Sequence, residues 1–144
     1  MYRGIVSLDL ARARHLSQPQ EVALCRFGGQ HVWKSTNAGV SWTPLDGEGD
    51  GRIPDIPVHS LVVDPQRPER LFIGTDLGVM VSIDGGAHWM TEVDGMPNVV
   101  TEWLEIASSP EGRFLYAFTH GRGVWRAKLS DPQIRRRPSR SPGT

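Results

Sequence analysis

The stretch Ser35-Thr36-Asn37-Ala38-Gly39-Val40-Ser41-Trp42 returns 47 positions later as Ser82-Ile83-Asp84-Gly85-Gly86-Ala87-His88-Trp89. A repeat at this spacing restricts the fold more than any other feature of the chain, because one supersecondary unit of that length cannot bury its apolar face alone and must stack on its neighbours. Each copy follows a short apolar-rich stretch, Val32-Trp33-Lys34 and Val79-Met80-Val81. A second similarity runs onward at an offset of 43: Ile53-Pro54-Asp55-Ile56 is answered by Met96-Pro97-Asn98-Val99, Leu61-Val62-Val63 by Leu104-Glu105-Ile106, and Arg70-Leu71-Phe72-Ile73 by Arg113-Phe114-Leu115-Tyr116. After one inserted residue, Gly78-Val79-Met80 matches Gly123-Val124-Trp125. Three approximate copies of a 43-to-47-residue unit fill the chain to about Leu129.

Within a unit the runs are short and strand-like. Val58 to Asp64, Arg70 to Thr75, Val79 to Ser82 and His88 to Val93 are rich in β-branched and aromatic residues and bounded by Gly, Pro, Asp or Asn, as expected of strands joined by tight turns. Asp64-Pro65-Gln66-Arg67-Pro68 and Ser109-Pro110-Glu111-Gly112 carry turn chemistry, since Pro fixes φ and Gly permits φ > 0. Leu8 to Leu16 reads as a long turn between the first two strands, because it lacks helix capping signals. Four short strands per repeat of ~40–50 residues is the signature of a β-propeller blade. The expected fold is therefore all-β, a partial propeller of about three four-stranded antiparallel blades at 4–46, 53–95 and 97–129. The last blade lacks its outer strand, and a disordered basic tail occupies 131–144.

The shared octapeptide has the form Ser-x-Asp/Asn-x-Gly-x-x-Trp. Ser35 and Asn37, like Ser82 and Asp84, can accept hydrogen bonds from turn N–H groups. Gly39 and Gly86 supply positions of positive φ at no steric cost. Trp42 and Trp89 can fold back over the hairpin and bury a large apolar face. The motif resembles the Asp-box, or bacterial neuraminidase repeat, of sialidases, sortilins, xyloglucanase-like glycosidases and photosystem II assembly propellers. Leu71-Phe72-Ile73-Gly74-Thr75-Asp76-Leu77-Gly78-Val79 is similar to the second-to-third-strand segment of that superfamily, and Thr119-His120-Gly121-Arg122-Gly123-Val124-Trp125-Arg126 to the way many such propellers end. The resemblance covers about residues 4 to 129. Asn37 departs from the usual Asp, His88 from the commoner Ser or Thr, and the third unit has no box. The resemblance implies that the boxes sit between third and fourth strands, away from any active site, so that Asn37 and Asp84 are structural.

Composition removes several function classes. Sixteen basic residues balance 16 acidic ones, so no overall field draws the chain to nucleic acid or a membrane surface. No apolar run approaches the ~20 residues of a membrane helix, and no secretory h-region is present. Arg135, Arg136, Arg137 and Arg140 cluster in a tail with Pro138 and Pro142, too poor in apolar groups to fold and read as a solvated terminus. One cysteine, Cys25, excludes an internal disulfide and a cysteine-based metal site, and reads as a small buried apolar residue.

Propellers close with ~4–8 blades, and three leave two open faces with unpaired edges. Copies must then associate, or the chain is the C-terminal piece of a longer propeller; a beginning so close to a strand favours the piece.

No catalytic constellation selects itself. The five histidines show no paired ligand spacing, and neither a nucleophile elbow nor a phosphate loop is present. The expectation is no metal and no cofactor. Asp46-Gly47-Glu48-Gly49-Asp50-Gly51 begins like a calcium loop, but Pro57 stands where the twelfth-position Glu belongs. It reads as a flexible acidic connection between blades, with a calcium site of another kind as the alternative. The resemblance puts the loops into first strands and those joining second to third strands on one side, which would gather Asp55, Asp76, Glu102, Trp103, His120 and Arg122 on a ligand face. There Trp103 can stack on a sugar or pack between blades, and Arg122 can pair with a carboxylate. The reading is a non-catalytic Asp-box segment, a scaffold or a module for a protein or glycan partner, with nucleic acid and membrane excluded. The alternative is the C-terminal fragment of a sialidase- or xyloglucanase-like glycoside hydrolase whose catalytic residues lie upstream.

Overall fold

A computed structural model describes residues 11–13, 20–24, 29–91 and 95–130. The basic tail, Cys25 and most of the Leu8 to Leu16 stretch lie outside the described residues. Part of that stretch is placed, and it corrects the expectation of a long turn: Ala11–Ala13 is itself the first strand, β1, paired antiparallel with β2 (Gln20–Leu24). Three residues are too few to show a period, so only the ladder reveals them.

The described residues are all-β, with no α-helix and one 3-10 turn at Gly49–Gly51. They form three small antiparallel sheets in chain order. The first continues with β3 (Val32–Ser35) and β4 (Thr43–Pro44). The second holds β5 (Val58–Asp64), β6 (Arg67–Thr75) and β7 (Gly78–Ser82). Its expected fourth strand is reduced, among the described residues, to a bridge between Val81 and Met90. The third holds β8 (Thr101–Ser109), β9 (Gly112–Thr119) and β10 (Gly123–Lys128), with β10 on the outer edge. Each sheet is a simple meander. The first strands stack on one another, β1 against β5 and β5 against β8, so the sheets lie face to face in sequence.

Strand alternation sorts the second sheet's side chains into two cores. The row Leu61–Ile73–Met80, with Val63 and Leu71, packs on Val32, Leu45, Ile53 and Trp89 toward the first sheet. The row Val62–Phe72–Val81, with Val79, packs on Leu104, Leu115, Ala117 and Ile106 of the third. With both faces covered, β6 and β7 read as nearly continuous apolar runs, whereas β8 alternates because one of its faces is covered. Gly74 is required by close approach: a Cβ there would lie 2.6 Å from the Thr101 carbonyl oxygen of β8.

The ladders also adjust the repeat. Val63 faces Leu71, and Ile106 faces Leu115. Leu115 therefore takes the place of Leu71, and Tyr116 that of Phe72, an offset of 44 in the second strand rather than 43. The two hairpins close differently: the second sheet's turns at Asp64–Arg67 just after an irregularity beside Val63, whereas the third's runs on regularly to Ser109–Gly112 and so holds one residue more.

Candidate functional site

The two octapeptides fold as near-identical locks, each closing the turn that leaves the third strand of its sheet. In the first, the Ser35 hydroxyl accepts the Gly39 N–H (2.8 Å) and donates to Asn37 Oδ1 (3.0 Å), which also accepts the Ser41 N–H (2.8 Å). In the second, the Ser82 hydroxyl accepts the Gly86 N–H (2.8 Å) and donates to Asp84 Oδ1 (2.8 Å), which accepts the His88 N–H (3.0 Å). Asp84 also meets His88 Nδ1 at 2.7 Å. The His88 N–H bond, with the His88 ring and the Ser82 hydroxyl behind it, holds the Asp84 carboxyl down at about 2. These carboxyl and amide groups are occupied by their own turns, which is a structural use.

The two tryptophans differ. Trp89 is 3% exposed, and its indole N–H donates to the Leu45 carbonyl of the first sheet's hairpin at 2.7 Å. Trp42 is half-buried and bonds only back to Gly39 of its own turn at 3.1 Å. The difference is a neighbour: Trp89 has a preceding sheet to enter.

Two buried carboxylates, Asp46 within the first sheet's segment and Asp64 at the joint of the second and third sheets, take structural roles that sequence reasoning did not assign them. Asp46 accepts the N–H groups of His31 and Val32 (each 2.8 Å to Oδ1) and meets His31 Nδ1 at 2.8 Å. Burial alone would raise its pKa, but these bonds outweigh it and lower it. The acidic loop is thus anchored rather than flexible, with its first carboxylate turned inward; Gly47 sits at φ +83°, where a Cβ would strike the Gly51 carbonyl oxygen. Asp64 is fully buried between Arg70 of its own sheet and Arg113 of the next, and Arg113 also donates to Gln66 Oε1 at 2.8 Å. Here too burial raises and the Gln66 N–H and two guanidinium groups lower, with a net downward shift. The sequence sets Arg70 against Arg113 at an offset of 43, and that recurrence of arginine was the available signal, although the ladders shift the second strands to 44.

On one rim the structure builds a repeated feature. Between Val58 and Ser60 of β5, and between Thr101 and Trp103 of β8, the register shifts by one residue. The bulged residues are His59 and Glu102. A bulge re-aims its extra side chain, and each of these meets the turn after the second strand: His59 Nε2 lies 2.7 Å from Asp76 Oδ1, and Glu102 Oε1 lies 2.8 Å from His120 Nδ1. Thr75 and Thr119 hold equivalent ladder positions, each with its hydroxyl on the carbonyl of a glycine across the turn (Gly78 at 2.8 Å, Gly123 at 2.7 Å). Asp76 and His120 are therefore equivalent, and imidazole and carboxylate have exchanged strands between the two sheets. The signal in sequence is a broken alternation: buried Val58 to Leu61 and Thr101 to Leu104 are spaced by three, where period two would give an even number.

Of the six expected ligand-face residues, Asp76, Glu102 and His120 are drawn into these pairs. Arg122 is exposed in the same turn as His120 and gives its carbonyl to the Trp125 indole N–H at 3.0 Å. Asp55 is exposed, 3.8 Å from the buried His31 Nε2. Trp103 is not on the rim: it aligns with Phe118 and Val124 across the face of the third sheet turned away from the second. Among the described residues no three His, Cys, Asp or Glu side chains converge as a metal centre requires.

No known family model and no curated protein matches the chain.

Proposed function

We propose that the chain is a non-catalytic, Asp-box-type propeller segment whose rim binds a hydroxyl-rich partner, a glycan. The observation that carries this reading is the pair of bulge-mounted imidazole–carboxylate contacts, His59–Asp76 and Glu102–His120, at equivalent places in adjacent sheets. Each pair offers a hydrogen-bond donor beside an acceptor, the combination that a sugar's vicinal hydroxyls recognise. The Glu102–His120 side chains are mostly exposed, 58% and 75%, so they can reach a ligand without rearranging the core. The stacked first strands and the two turn locks support the propeller part of the reading. Against catalysis stands the use of Asp46, Asp64 and Asp84 in structural contacts.

The test is binding of the full chain to an array of neutral and acidic oligosaccharides, together with turnover of aryl-glycosides. Expected are a discrete set of retained oligosaccharides, at least about tenfold weaker binding in Asp76→Ala/Glu102→Ala, and no turnover. Retention of none, or turnover that this double variant abolishes, would overturn the reading.

A further inference from the structure

The internal joints between sheets define two complementary faces, and each end of the stack presents one of them. In the joint between the first and second sheets, the second sheet contributes Met80 and Trp89, both 3% exposed, to the core it shares with Val32 and Leu45. The residues 47 positions earlier are Trp33 and Trp42. Val32 points to the second sheet, so by alternation Trp33 lies on the opposite face of the first sheet. Trp33 and Trp42 are only half-buried. The first sheet thus ends in the entering half of the joint, with nothing to enter among the described residues.

The third sheet ends in the receiving half. In the second sheet that half is Val62, Phe72, Val79 and Val81. Its ladder equivalents in the third are Glu105, Tyr116, Val124 and Arg126. Val79 is 4% exposed, whereas Val124 is 57% exposed, beside Trp103 at 50% and Phe118 at 37%. Arg126 lies 4.8 Å over the Phe114 ring on the same face. Beside Glu105, the face thus combines exposed aromatic residues with an arginine, the residue types enriched where one protein meets another.

From these two halves we infer that the first sheet of one copy of this chain docks on the third sheet of a second copy, head to tail. The occupant is a second copy because the joint between the first and second sheets shows what fits against a preceding sheet: a sheet end carrying a large residue at the Met80 place and a tryptophan at the Trp89 place. The first sheet carries tryptophan at both. Such a contact is heterologous, so it either closes into a ring or grows without limit. With three sheets among the described residues of each chain, two copies make a ring of six, within the range that closes around a channel, and three copies a ring of nine, beyond it. The inference rests on the propeller reading proposed for the chain and adds its partner and stoichiometry.

Light scattering after size exclusion, run on the full chain at several concentrations, reads the outcome. A discrete dimer is expected. Trp103→Asp on one face and Trp33→Asp on the other should each weaken dimerisation at least about 30-fold, the scale of a central aromatic contact. An equimolar mixture of the two variants should regain dimer, because one junction then keeps both native halves. Trp42→Ala replaces Trp33→Asp if that variant loses its far-UV circular dichroism. A monomeric wild type, oligomers that grow with concentration, a dimer indifferent to the first-sheet variants, or a mixture that stays monomeric overturns the inference. A monomer in which Trp89→Ala still lowers the urea midpoint far more than Trp42→Ala overturns the dimer alone and leaves the propeller reading standing; absence of that difference counts against both.

Discussion

Replacing Trp89 by alanine tests whether the octapeptide is a local turn lock or a bolt between sheets. The indole is 3% exposed and belongs to the core formed by Val32, Ile53, Leu61 and Met80. Removing a buried aromatic ring costs about 3–5 kcal/mol, from lost transfer energy plus the cavity left behind. The N–H bond to the Leu45 carbonyl adds to this, because the orphaned carbonyl loses a partner where water enters poorly. The expected loss is therefore at the upper end, about 4–5 kcal/mol. Trp42→Ala is the internal control. Its motif is the same and its turn bonds are the same, but its indole is half-buried and bonds within its own turn. Only part of its area leaves water, so about 1–2 kcal/mol is expected at ~25 cal/mol per Å². Trp89→Phe keeps most of the ring and loses the N–H bond, for about 1–2 kcal/mol. Urea melts followed by far-UV circular dichroism, run on the chain diluted until it is monomeric so that Trp42 meets no second copy, give the three values without relying on tryptophan fluorescence. Equal losses for Trp89→Ala and Trp42→Ala would refute the reasoning, since the motif alone would then set the stability and the sheet-to-sheet contact nothing.

Asp64→Asn should cost about 3–5 kcal/mol in the same melts, because it leaves Arg70 and Arg113 buried without their counter-charge; a change under 1 kcal/mol would show that the two guanidinium groups find water instead. Acid should weaken the fold through Asp46, Asp64 and Asp84, all of which bind protons less readily folded than unfolded. Their contribution is complete above the ordinary carboxylate value of 3.8 and is lost as pH falls, for Asp84 through about 2. Guanidinium midpoints should fall steadily from pH 5 to pH 2, and Asp84→Asn should flatten part of that slope; midpoints that hold constant or rise on acidification would contradict the assignment.

How much of this was legible beforehand differs by kind of interaction. The strands of the second and third sheets, the two locks and the inserted residue before Gly123 could be read from residue type and spacing, because each depends on contacts within a few positions. The two-sided burial of the second sheet is also written there: Val62 and Val81 are apolar where Glu105 and Arg126 are charged in the third. What could not be read is whatever two distant segments decide jointly. Asp64 looked like a turn residue until Arg113, 49 positions away, closed on it. Asp46 looked like a loop acid until the His31 and Val32 amides were brought to it. Trp103 was expected on the rim because the resemblance gathers the loops into first strands there, and the bulge at Glu102, one residue of slip that moves a side chain to the other face, is not visible in that pattern.

That same slip explains why the rim and the end face can evolve apart. Without the bulge, Glu102 and Trp103 would exchange roles, and the His120 pair and the aromatic row could not both exist on β8. With it, consecutive residues serve two surfaces: Glu102 turns along the strand end to meet His120, while Trp103 turns across the sheet to join Phe118 and Val124. The bulge at His59 does the first job alone, since the residue after it is Ser60, small and buried against the third sheet. A tryptophan at position 60 would collide with Thr101, which already lies within 3.1 Å of where a Gly74 Cβ would stand. The small residue belongs to a joint that is filled, and the large one to a face that no other described sheet covers.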